Sequence, residues 1–551
     1  MISLYFHTLR HLKLRQMAYQ VIRRLSKPSL PQLLGPAIQR FGVYLKPVIP
    51  RSMPLADEHT FRFLNEERLF SPEAIDWQPA AAGKLWRYNL HYFEYILEQN
   101  RSWESCCRLI NDWIAHNPPG SLDAWEPFPV SLRVVNWIKL FLRSDNGCRL
   151  QREWLESLFR QMLWLEKNIE YHLLGNHVFK NGKALVFGGL FFAGDDAERW
   201  LRLGLKILLA ELDEQILPDG GHFERSPMYH AMILTVCLDL LNLTMEQPEQ
   251  EVAEFAGRLR VVCPAMLSAL AVMSHPDGGI ALFNDAAFGI EANLGELAEY
   301  YQRLTGLVVP CSSSLIRSLP DTGYFVMAPT PGSYLIIDCG AVGPDYQPGH
   351  SHCDSLSFEL SLEGRRVIVD SGCGQYPVSD IRTYNRGNVG HNTLTIDAQN
   401  QSEVWGAHRC ARRAKPLFAV LERLPDGGLK FSGAHDGYCR LTGQPVHRRS
   451  VTWRDKVITI TDDVEGRGTH NIELRLHINP ELTVEQIDEK ICIRDGACLI
   501  ATITSADASR IIIAAGHYCQ EFGNIRPAQV LVLYSETVSL PFRNGWHMQL
   551  P

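Results

Sequence analysis

The hydrophobic pattern of this chain changes its period once, and that change constrains the fold more than any other feature. From about residue 85 to 310, apolar residues recur at the spacing of an amphipathic helix, as in CRLQREWLESLFRQMLWLEKNIEYHLL. After Gly323 they occur in short β-branched runs divided by turn residues, such as GSYLIIDCG and HRRSVTWRDKVITITDDV. A chain of 551 residues is also too long for one compact core. The pattern predicts a multidomain α + β protein, with a helical domain at 61–318 and an antiparallel β-sandwich at 319–551.

A short repeat indicates how the helices are arranged. The tetrapeptide PDGG occurs at 218–221 and again at 276–279. Each copy follows a helical segment and precedes a polar and aromatic stretch. A repeat of this spacing suits a pair of helices that stacks against the next pair. The helical domain is therefore predicted to be an (α/α) toroid of helical hairpins.

The first 60 residues form a third piece with a different charge. Residues 1–56 hold nine lysines and arginines and no acid. Because their apolar residues recur at helical spacing, residues 1–26 are predicted either to lie on a membrane as a basic interfacial helix or to pack on the body of the protein. The rest of the chain carries the other 45 of the 54 bases and all 61 acids, a net charge of −16. A body this acidic is not a general binder of polyanions such as nucleic acid, so an anionic ligand requires a local cluster of donors.

Cysteine usage and hydropathy bear on the compartment. The fourteen cysteines include no CxxC pair, which argues against a zinc ribbon or a thioredoxin-like site. Cysteines without a pattern are typical of a reducing compartment. No apolar run reaches the length of a membrane span, and Arg10, Lys13 and Arg15 interrupt the apolar stretch that a signal peptide needs. We expect a cytoplasmic protein, peripheral at the inner membrane if its N-terminal segment binds lipid.

The stretch PGHSHCDSLSFEL indicates a metal site. On a strand, His350, His352 and Asp354 share one face with three apolar residues that follow at the same parity. Asp370 and His391 lie in polar turns shortly afterwards, and two histidines with one carboxylate suit Zn²⁺ with an open fourth position. A tight hairpin between the segments would leave Asp370 several residues away along the ladder. A bend, a bulge or a longer excursion at DSGCG must therefore bring the ligands together.

Five stretches together resemble the heparinase II/III family of polysaccharide lyases, whose relatives include alginate lyases. They are GNHVFKNGKAL, FERSPMYH, GHSHCDSLSFEL, VIVDSG and GHNTLTID. The resemblance covers roughly residues 60 to 551. It implies an N-terminal (α/α) toroid joined to a C-terminal antiparallel β-sandwich, and an anionic polysaccharide as the substrate.

The resemblance implies four catalytic residues, Asn176, His177, Tyr229 and His350. Elimination at a uronic acid removes a weakly acidic C5 proton beside an ionised carboxylate and expels the O4 leaving group. Asn176 and His350 are suited to stabilise the charge that develops on the carboxylate. Tyr229 would serve as both base and acid if both atoms lie on one face of the sugar, and His177 would be the base from the other face. A cation such as Arg225 is expected to help Tyr229 ionise.

The resemblance also implies one structural Zn²⁺ per chain, held by His352, Asp370 and His391. The ion would fix the strand end that presents His350, supporting the site without contacting substrate. A catalytic metal is the less favoured interpretation. His408 is a competing third ligand, since it also lies in a polar stretch.

Other residues are candidates for binding substrate, because aromatic rings stack on sugars and arginine pairs with carboxylates. Besides Arg225 they are Asn89, His91, Tyr92, Trp125, Glu126, Asn284, Asp285, Tyr384 and Arg386. Each of them alone is equally explained by packing or helix capping.

These observations leave several functions open. The leading one is a lyase that cleaves a uronate polysaccharide by β-elimination, linked to exopolysaccharide metabolism. A uronyl C5-epimerase would share the proton abstraction but return a proton instead of expelling O4. An inverting hydrolase would use carboxylates such as Glu224 and Asp285, which the histidines argue against, and a catalytically silent polysaccharide-binding protein is the fourth candidate. The acidic body favours an unsulfated chain, such as alginate or glucuronan, over densely sulfated heparin.

Overall fold

The computed structural model describes residues 2–25, 29–30, 32–33, 35, 37–40, 42–49, 59–71, 75–99, 101–143, 150–310, 312–507 and 510–551. A region of helices precedes a region of antiparallel sheets. The predicted fold class, an (α/α) toroid followed by an antiparallel β-sandwich, is confirmed. Part of the predicted N-terminal segment at 1–60, including residues 50–58, lies outside the described residues.

The N-terminal segment begins with two helices, α1 at Ile2–Leu9 and α2 at Leu14–Leu25. Both contact the body of the protein. Trp405 Nε1 donates to Thr8 Oγ1 at 3.1 Å, and the Arg15 guanidinium lies 3.6 Å from the centre of the Tyr171 ring. A hairpin follows, with β1 at Thr60–Phe63 and β2 at Glu66–Leu69. The N-terminal segment was predicted either to lie on a membrane or to pack on the body of the protein. These contacts show that one side of each helix packs on the body.

The toroid is built from two layers of helices. Their bounds are α3 Lys84–Tyr92, α4 Trp103–His116, α5 Pro127–Phe141, α6 Arg152–Lys167, α7 Asn176–Phe191, α8 Asp195–Gln215, α9 Pro227–Thr244, α10 Gln250–Val272 and α11 Leu294–Thr305. Helices α3, α5, α7, α9 and α11 contact one another in succession and form the inner layer. Helices α7 and α9 are apolar around most of their circumference and are buried at nearly every position, whereas α6 and α8 keep a charged outer face.

The two PDGG turns join outer helices to the segments that lead into inner ones, and both contact the sandwich. Gly220 and Gly278 each have φ of +84°, a conformation that glycine adopts without strain. In the first turn, Asp219 accepts from Thr322 N and Thr322 Oγ1, both at 2.8 Å. In the second, Asp277 accepts from Arg366 Nε at 2.7 Å. The repeat therefore marks a structural unit of the toroid and also fixes the toroid to the sandwich.

In its described residues, the C-terminal region contains strands, one short α-helix and a 3-10 turn at Asn388–Gly390. The strands are β3 Ile316–Leu319, β4 Tyr324–Met327, β5 Tyr334–Asp338, β6 Phe358–Leu362, β7 Arg365–Ile368, β8 Leu394–Ile396, β9 Val404–Trp405, β10 Arg409–Cys410, β11 Pro416–Arg423, β12 Leu429–His435, β13 Val446–Arg454, β14 Val457–Glu465, β15 Thr469–Ile478, β16 Thr483–Ile487, β17 Lys490–Asp495, β18 Cys498–Ser505, β19 Ile511–Glu521, β20 Asn524–Ser539 and β21 Phe542–Gln549. The helix, α12, spans Asp380–Arg386.

Two large sheets form the sandwich. One has the strand order β11-β12-β13-β14-β21-β18-β17-β16, and the other has the order β19-β20-β15-β7-β6-β5-β4-β3, with β8 also paired to β15. Burial alternates along β13 and β14, as the sequence pattern predicts for strands with one face in the core. Trp453, Ile460 and Trp546 from one sheet and Leu474 and Phe358 from the other belong to the same core.

One boundary and one helix differ from the sequence prediction. The last toroid helix ends at Thr305 and β3 begins at Ile316, so the sandwich starts a few residues before the predicted position 319. Helix α10 is long and apolar enough to cross a membrane by length and composition, whereas no such run was predicted from the sequence. Half of its most apolar stretch is buried against the rest of the protein, as in a core helix.

Candidate active site

A cavity of about 700 Å³ lies between the inner helices of the toroid and the loops of the sandwich. The four residues predicted to be catalytic, Asn176, His177, Tyr229 and His350, all line it. They come from the starts of α7 and α9 and from a loop before β6. The fold thus brings to one surface three segments that are far apart in the sequence.

The first turn of α7 presents Asn176 and His177. Gly175, just before it, has φ of +57° and ψ of −141°, a conformation that residues with a Cβ rarely adopt. Glycine is therefore needed for the chain to enter α7. The His177 ring packs 4.5 Å from Phe128, and its Nδ1 lies 3.2 Å from the Glu170 carboxylate. Burial lowers the pKa of His177, but Glu170 outweighs burial and raises it above the usual value.

Tyr229 lies in the first turn of α9, where Ser226 caps the helix by accepting from Tyr229 N. Its hydroxyl is 2.9 Å from that of Tyr376, and its ring centre is 4.0 Å from that of His350. Burial and the negative charge of Asp285 raise the pKa of Tyr229 well above its usual value. The phenol is therefore protonated at neutral pH.

The predicted role of Arg225 beside Tyr229 is wrong. The Arg225 guanidinium donates to the backbone carbonyls of Thr322 at 3.0 Å and of Phe223 and Asp321, both at 3.2 Å. It joins the toroid to the sandwich and does not line the cavity. Sequence proximity to Tyr229 was misleading because Arg225 adopts φ of +56°, so the chain turns between the two residues.

Two buried carboxylates hold the candidate catalytic groups in place. Glu224 Oε1 accepts from Asn176 Nδ2 at 3.4 Å, and Glu224 Oε2 lies 3.7 Å from His350 Nε2. On the other side of that ring, Asp285 lies 2.9 Å from His350 Nδ1. Glu224 is 1% exposed and Asp285 is completely buried, and neither lines the cavity. Their positions suit orientation of other side chains and do not suit the carboxylate pair of an inverting hydrolase.

Asp285 also connects the candidate catalytic and metal-binding histidines. Besides His350, Asp285 contacts His352 Nε2 at 2.8 Å, and it accepts a hydrogen bond from Arg382 Nη2 at 2.9 Å. Burial alone would raise the pKa of Asp285, but Arg382 and the two histidines hold it well below its usual value. The residue was predicted to bind substrate. Its burial corrects this, because it serves as an ionised hub behind the cavity.

The predicted zinc ligands His352 and His391 are brought together. His352 Nδ1 and His391 Nε2 are buried and have no hydrogen-bond partner among the described residues. Ligand atoms of these two histidines and of Asp354 all lie within 4.8 Å of one another. Asp370, the predicted third ligand, contacts His391 Nδ1 at 2.7 Å, on the far nitrogen of that ring. Two unpartnered imidazole nitrogens facing a carboxylate are donors that fit Zn²⁺.

His408 belongs to a different cluster. It groups with Asp285 and His350, lies 5.9 Å from the His350 ring centre and lines the cavity. Its alternative role as a ligand beside His352 therefore does not fit the structure.

Two predicted substrate-binding residues line the cavity and the others do not. Asn89 and Tyr92 of α3 face it. His91 is buried in the toroid core, where it accepts from Trp113 Nε1 at 3.1 Å. Trp125 is also a core residue, with its Nε1 donating to Asn117 O. An α-helix turns about 100° per residue, so neighbours such as His91 and Tyr92 point to different sides of α3.

The remaining predicted substrate contacts have structural partners. Glu126 accepts from Tyr88 and Lys84, which do line the cavity, and so supports it from behind. Asn284 accepts from His352 N at 2.9 Å. Tyr384 contacts His477 Nε2 at 3.0 Å, and Arg386 donates to Ser351 O at 3.1 and 3.2 Å. Each is a correction, since none of these side chains lines the cavity and each is paired within the protein; Asn284 and Arg386 are also buried.

Sequence reasoning missed Tyr376, the hydroxyl partner of Tyr229. It follows the Asp370 stretch in the segment VDSGCGQYP, and an aromatic residue in a turn of glycine and polar residues was the available signal. Glu170, the partner of His177, had no such signal because the two residues approach only after the chain turns into α7.

The chain matches two family models in succession. The model described as Heparinase II/III N-terminus matches residues 51–304, and the one described as Heparinase II/III-like, C-terminal matches residues 313–546. The heparin-sulfate lyase of Bacteroides thetaiotaomicron is 23% identical over 487 residues, which cover 76% of this chain and 66% of that protein. The heparin-sulfate lyase of Pedobacter heparinus is 27% identical over 324 residues, which cover 53% of this chain and 47% of that protein. The chain thus spans less than two thirds of the length of either relative.

Solved structures have the same architecture. A crystal structure of heparinase III superposes with a TM-score of 0.66 at 18% identity, covering 87% of this chain and 79% of that one. The heparan sulfate lyase from Pedobacter heparinus gives a TM-score of 0.54 at 18% identity, covering 97% of this chain and 87% of that one. At such low identity the likeness bears on the fold alone.

Proposed function

The chain belongs to the heparinase II/III family, and we propose that it is a polysaccharide lyase that cleaves a uronic-acid-containing polysaccharide by β-elimination. The observation that carries this proposal is the convergence of Asn176, His177, Tyr229 and His350 on one cavity. Together they supply the groups that the reaction needs: donors for a carboxylate, a base for the C5 proton and an acid for O4.

Asn176 and His350 bind the uronate carboxylate in this proposal. Removal of the C5 proton makes the carboxylate enolate-like, so donors aimed at its oxygens stabilise the transition state more than the ground state. Glu224 lies beside both side chains and Asp285 lies behind His350, and these contacts support a fixed orientation for the pair. A preorganised pair of this kind needs little rearrangement during the reaction.

The two proton transfers are divided between His177 and Tyr229. Glu170 makes His177 more basic than an ordinary histidine, which suits removal of the C5 proton. The electron pair of the broken C5–H bond forms the C4–C5 double bond, and the C4–O4 bond breaks. Tyr229, kept protonated by burial and by Asp285, then donates its proton to O4. Tyr376, with its hydroxyl 2.9 Å away and in the cavity lining, returns a proton to Tyr229 from solvent.

A structural zinc ion is part of the proposal. His352, His391 and Asp354 would hold it, and Asp370 would orient His391 through the contact to its other ring nitrogen. When bound, the ion supplies a rigid crosslink behind the loop that carries His350. The residues of the chain carry out the elimination itself.

The charge around the cavity favours a sparsely charged polymer. Its described lining includes the bases Arg62, Lys84 and Lys180, and it also includes the acids Glu94, Glu291 and Glu521. A densely sulfated chain would meet repulsion from these acids, whereas one carboxylate per sugar needs only a local cluster of donors. We therefore propose an unsulfated uronate polysaccharide as the preferred substrate.

A panel of polymers tests the proposed activity. We expect the protein to generate the ultraviolet absorbance of a C4–C5 unsaturated sugar from at least one of alginate, glucuronan, hyaluronan and heparan sulfate, with the unsulfated chains cleaved faster. We expect this product because His177 is placed to remove the C5 proton and Tyr229 to protonate O4. A protein that binds one of these polymers but never produces the chromophore would instead be a silent binding protein.

The rate is expected to rise with pH through a pKa above the usual histidine value of about 6.5. Glu170 raises the pKa of His177, and a base acts in its neutral form, which exists above that pKa. Glu170→Gln removes the negative charge, so the acidic limb of the kcat/KM profile should move to lower pH. Glu166→Gln is the control, because Glu166 pairs with Arg199 on the outer side of the toroid. A limb that stays in place in Glu170→Gln would contradict the role of His177 as the base.

A further inference from the structure

The N-terminal helix pair, α1 and α2 at residues 2–25, presents its apolar side to solvent. In α2, Leu14, Met17, Val21 and Leu25 recur every three or four residues and share one face of the helix. Leu14 is 81% exposed and Leu25 is 82% exposed. This is the opposite of an ordinary surface helix, which turns its apolar stripe toward the core.

The opposite side of α2 contacts the protein through polar and aromatic side chains. Gln16 is buried and donates to Leu173 O and Tyr346 O, both at 3.4 Å. Tyr19 packs 5.0 Å from the Tyr171 ring, which the Arg15 guanidinium also covers. Residues 16 and 19 are one helical turn apart, on the side away from the leucines. The orientation of α2 is thus held by specific contacts.

Helix α1 has the same arrangement. Ile2, Phe6 and Leu9 are exposed and recur every three or four residues. On its other side, Thr8 accepts from Trp405 Nε1. Tyr5, which lies on the flank and is 46% exposed, packs edge-on at 4.9 Å from the Trp405 ring. The two helices together therefore present one set of exposed apolar side chains, while the contacts to the body are made from behind.

Positive charge lies beside these apolar faces. Residues 2–25 contain Arg10, Lys13, Arg15, Arg23 and Arg24 and no acid. Lys13 pairs with Glu214, and Arg15 and Arg23 contact Tyr171 and His172 of the body, so Arg10 and Arg24 are the bases placed to meet a surface. Arg24 lies next to Met17 around the helix and is itself exposed. Where the helices meet the sandwich, Arg409 lies 4.6 Å from the Trp405 ring centre. Bases and amphipathic aromatic rings beside an apolar stripe are the composition of a helix that lies in the headgroup region of a membrane.

We propose that the N-terminal helix pair binds the surface of an anionic lipid bilayer, with its exposed apolar residues inserted among the headgroups. Apolar burial provides the contact, and the exposed bases select negatively charged lipid. A protein partner or a second copy of the chain would also cover apolar residues. The complete lack of acids in the segment matches an anionic lipid surface better than a second copy, whose equivalent helices carry the same charge.

The N-terminal helix pair contacts a segment of the chain that continues into the cavity lining. Helix α1 contacts Trp405 of β9, and the turn between β9 and β10 carries Ala407 and His408 into the cavity lining. Deleting the helices would therefore disturb the candidate active site as well. Substitution of exposed side chains is the cleaner test, because those residues make few contacts within the protein.

The test is co-sedimentation with vesicles, using the full chain and no polysaccharide, so its outcome is independent of the proposed lyase activity. The vesicles are either phosphatidylglycerol mixed with phosphatidylcholine or phosphatidylcholine alone. The key variant combines Met17→Gln, Val21→Gln and Leu25→Gln. Its matched control combines Val261→Gln, Leu307→Gln and Val308→Gln, which are exposed apolar residues of the toroid. A charge variant combines Arg10→Glu and Arg24→Glu.

We expect the wild-type protein and the toroid control to bind the phosphatidylglycerol vesicles and to bind the uncharged vesicles far less. The triple α2 variant should partition roughly tenfold or more weakly, because three apolar side chains are removed from the bilayer. The charge variant should also bind less, and added salt should weaken the wild type. Equal binding by the triple variant and the wild type would overturn the proposal. So would a wild-type dimer that becomes monomeric in the triple variant while neither protein binds lipid.

Discussion

Tyr229→Phe is expected to fold like the wild type and to lose activity by a factor of at least about 10²–10⁴. The substitution keeps the ring, which packs 4.0 Å from His350, and removes the hydroxyl that is proposed to protonate O4. The loss of one buried hydrogen bond, to Tyr376, costs only about 1 kcal/mol of stability. Initial rates on the best polymer of the panel, together with thermal unfolding, measure the two effects separately.

Tyr95→Phe is the matched control for that experiment. Its hydroxyl is also buried and donates to Leu90 O at 2.9 Å, but the residue lies in the toroid core and does not line the cavity. We expect it to lose a similar amount of stability and to keep its activity. Near-normal turnover in Tyr229→Phe, or an equal loss in Tyr95→Phe, would refute the proposed role of Tyr229 and leave the fold assignment intact.

The same assay in heavy water separates a lyase from an epimerase. A lyase produces the unsaturated sugar end. An epimerase introduces deuterium at C5 of residues that remain in the chain, because it returns a proton from solvent instead of expelling O4. Deuterium at C5 without chain shortening would therefore replace the proposed function with epimerisation at the same site.

His391→Ala is expected to abolish zinc binding and to destabilise the protein by roughly 3–5 kcal/mol. Elemental analysis of wild-type protein purified without chelator should give one zinc ion per chain. The variant removes a proposed ligand and leaves the buried carboxylate of Asp370 without its partner, which lies 2.7 Å away in the wild type. Both effects act on the loop that carries His350, so activity should fall as well.

Two further variants locate the metal. His408→Ala should retain one zinc ion, because His408 clusters with His350 and Asp285 on the cavity side. Asp354→Ala should lose the ion, while Asp370→Asn should weaken its binding, since we propose that Asp354 is a ligand and that Asp370 orients His391. Full zinc occupancy in His391→Ala would contradict this assignment of the site.

The fold was predictable because its signals are local. The helical period in Arg152–Lys167 and the alternation in β13 and β14 reflect which side of each element meets the core, and neighbouring residues encode that side. The PDGG repeat predicted helical hairpins for a similar reason, since both copies form the same turn with the same positive φ. The boundary was predicted at residue 319 and β3 begins at Ile316, because turn residues are spread from Gly306 to Gly323 and no single one marks where the first strand begins.

The candidate site was predictable only in part. Asn176, His177, Tyr229 and His350 stand in motifs, so a resemblance could assign them roles one by one, and all four line the cavity. The contacts that tune them could not be read from the chain. Asp285 is 65 residues from His350, and Glu224 is 48 residues from Asn176, so no spacing rule connects them. Arg225 shows the converse, because a residue close to Tyr229 in sequence points elsewhere after one turn with positive φ.

By itself, the sequence determined the order of the two domains, the chemistry available at their junction and the basic amphipathic character of residues 1–26. The tertiary structure decided which carboxylates lie behind the histidines, whether Asp354 or Asp370 faces the two free imidazole nitrogens, and which side of α2 points outward. Periodicity reports that a helix has an apolar side but not what that side faces. Here the polar side of α2 is held by Gln16 and Tyr19 against the body, and this leaves the apolar side in solvent, because a helix cannot turn both faces to the same neighbour.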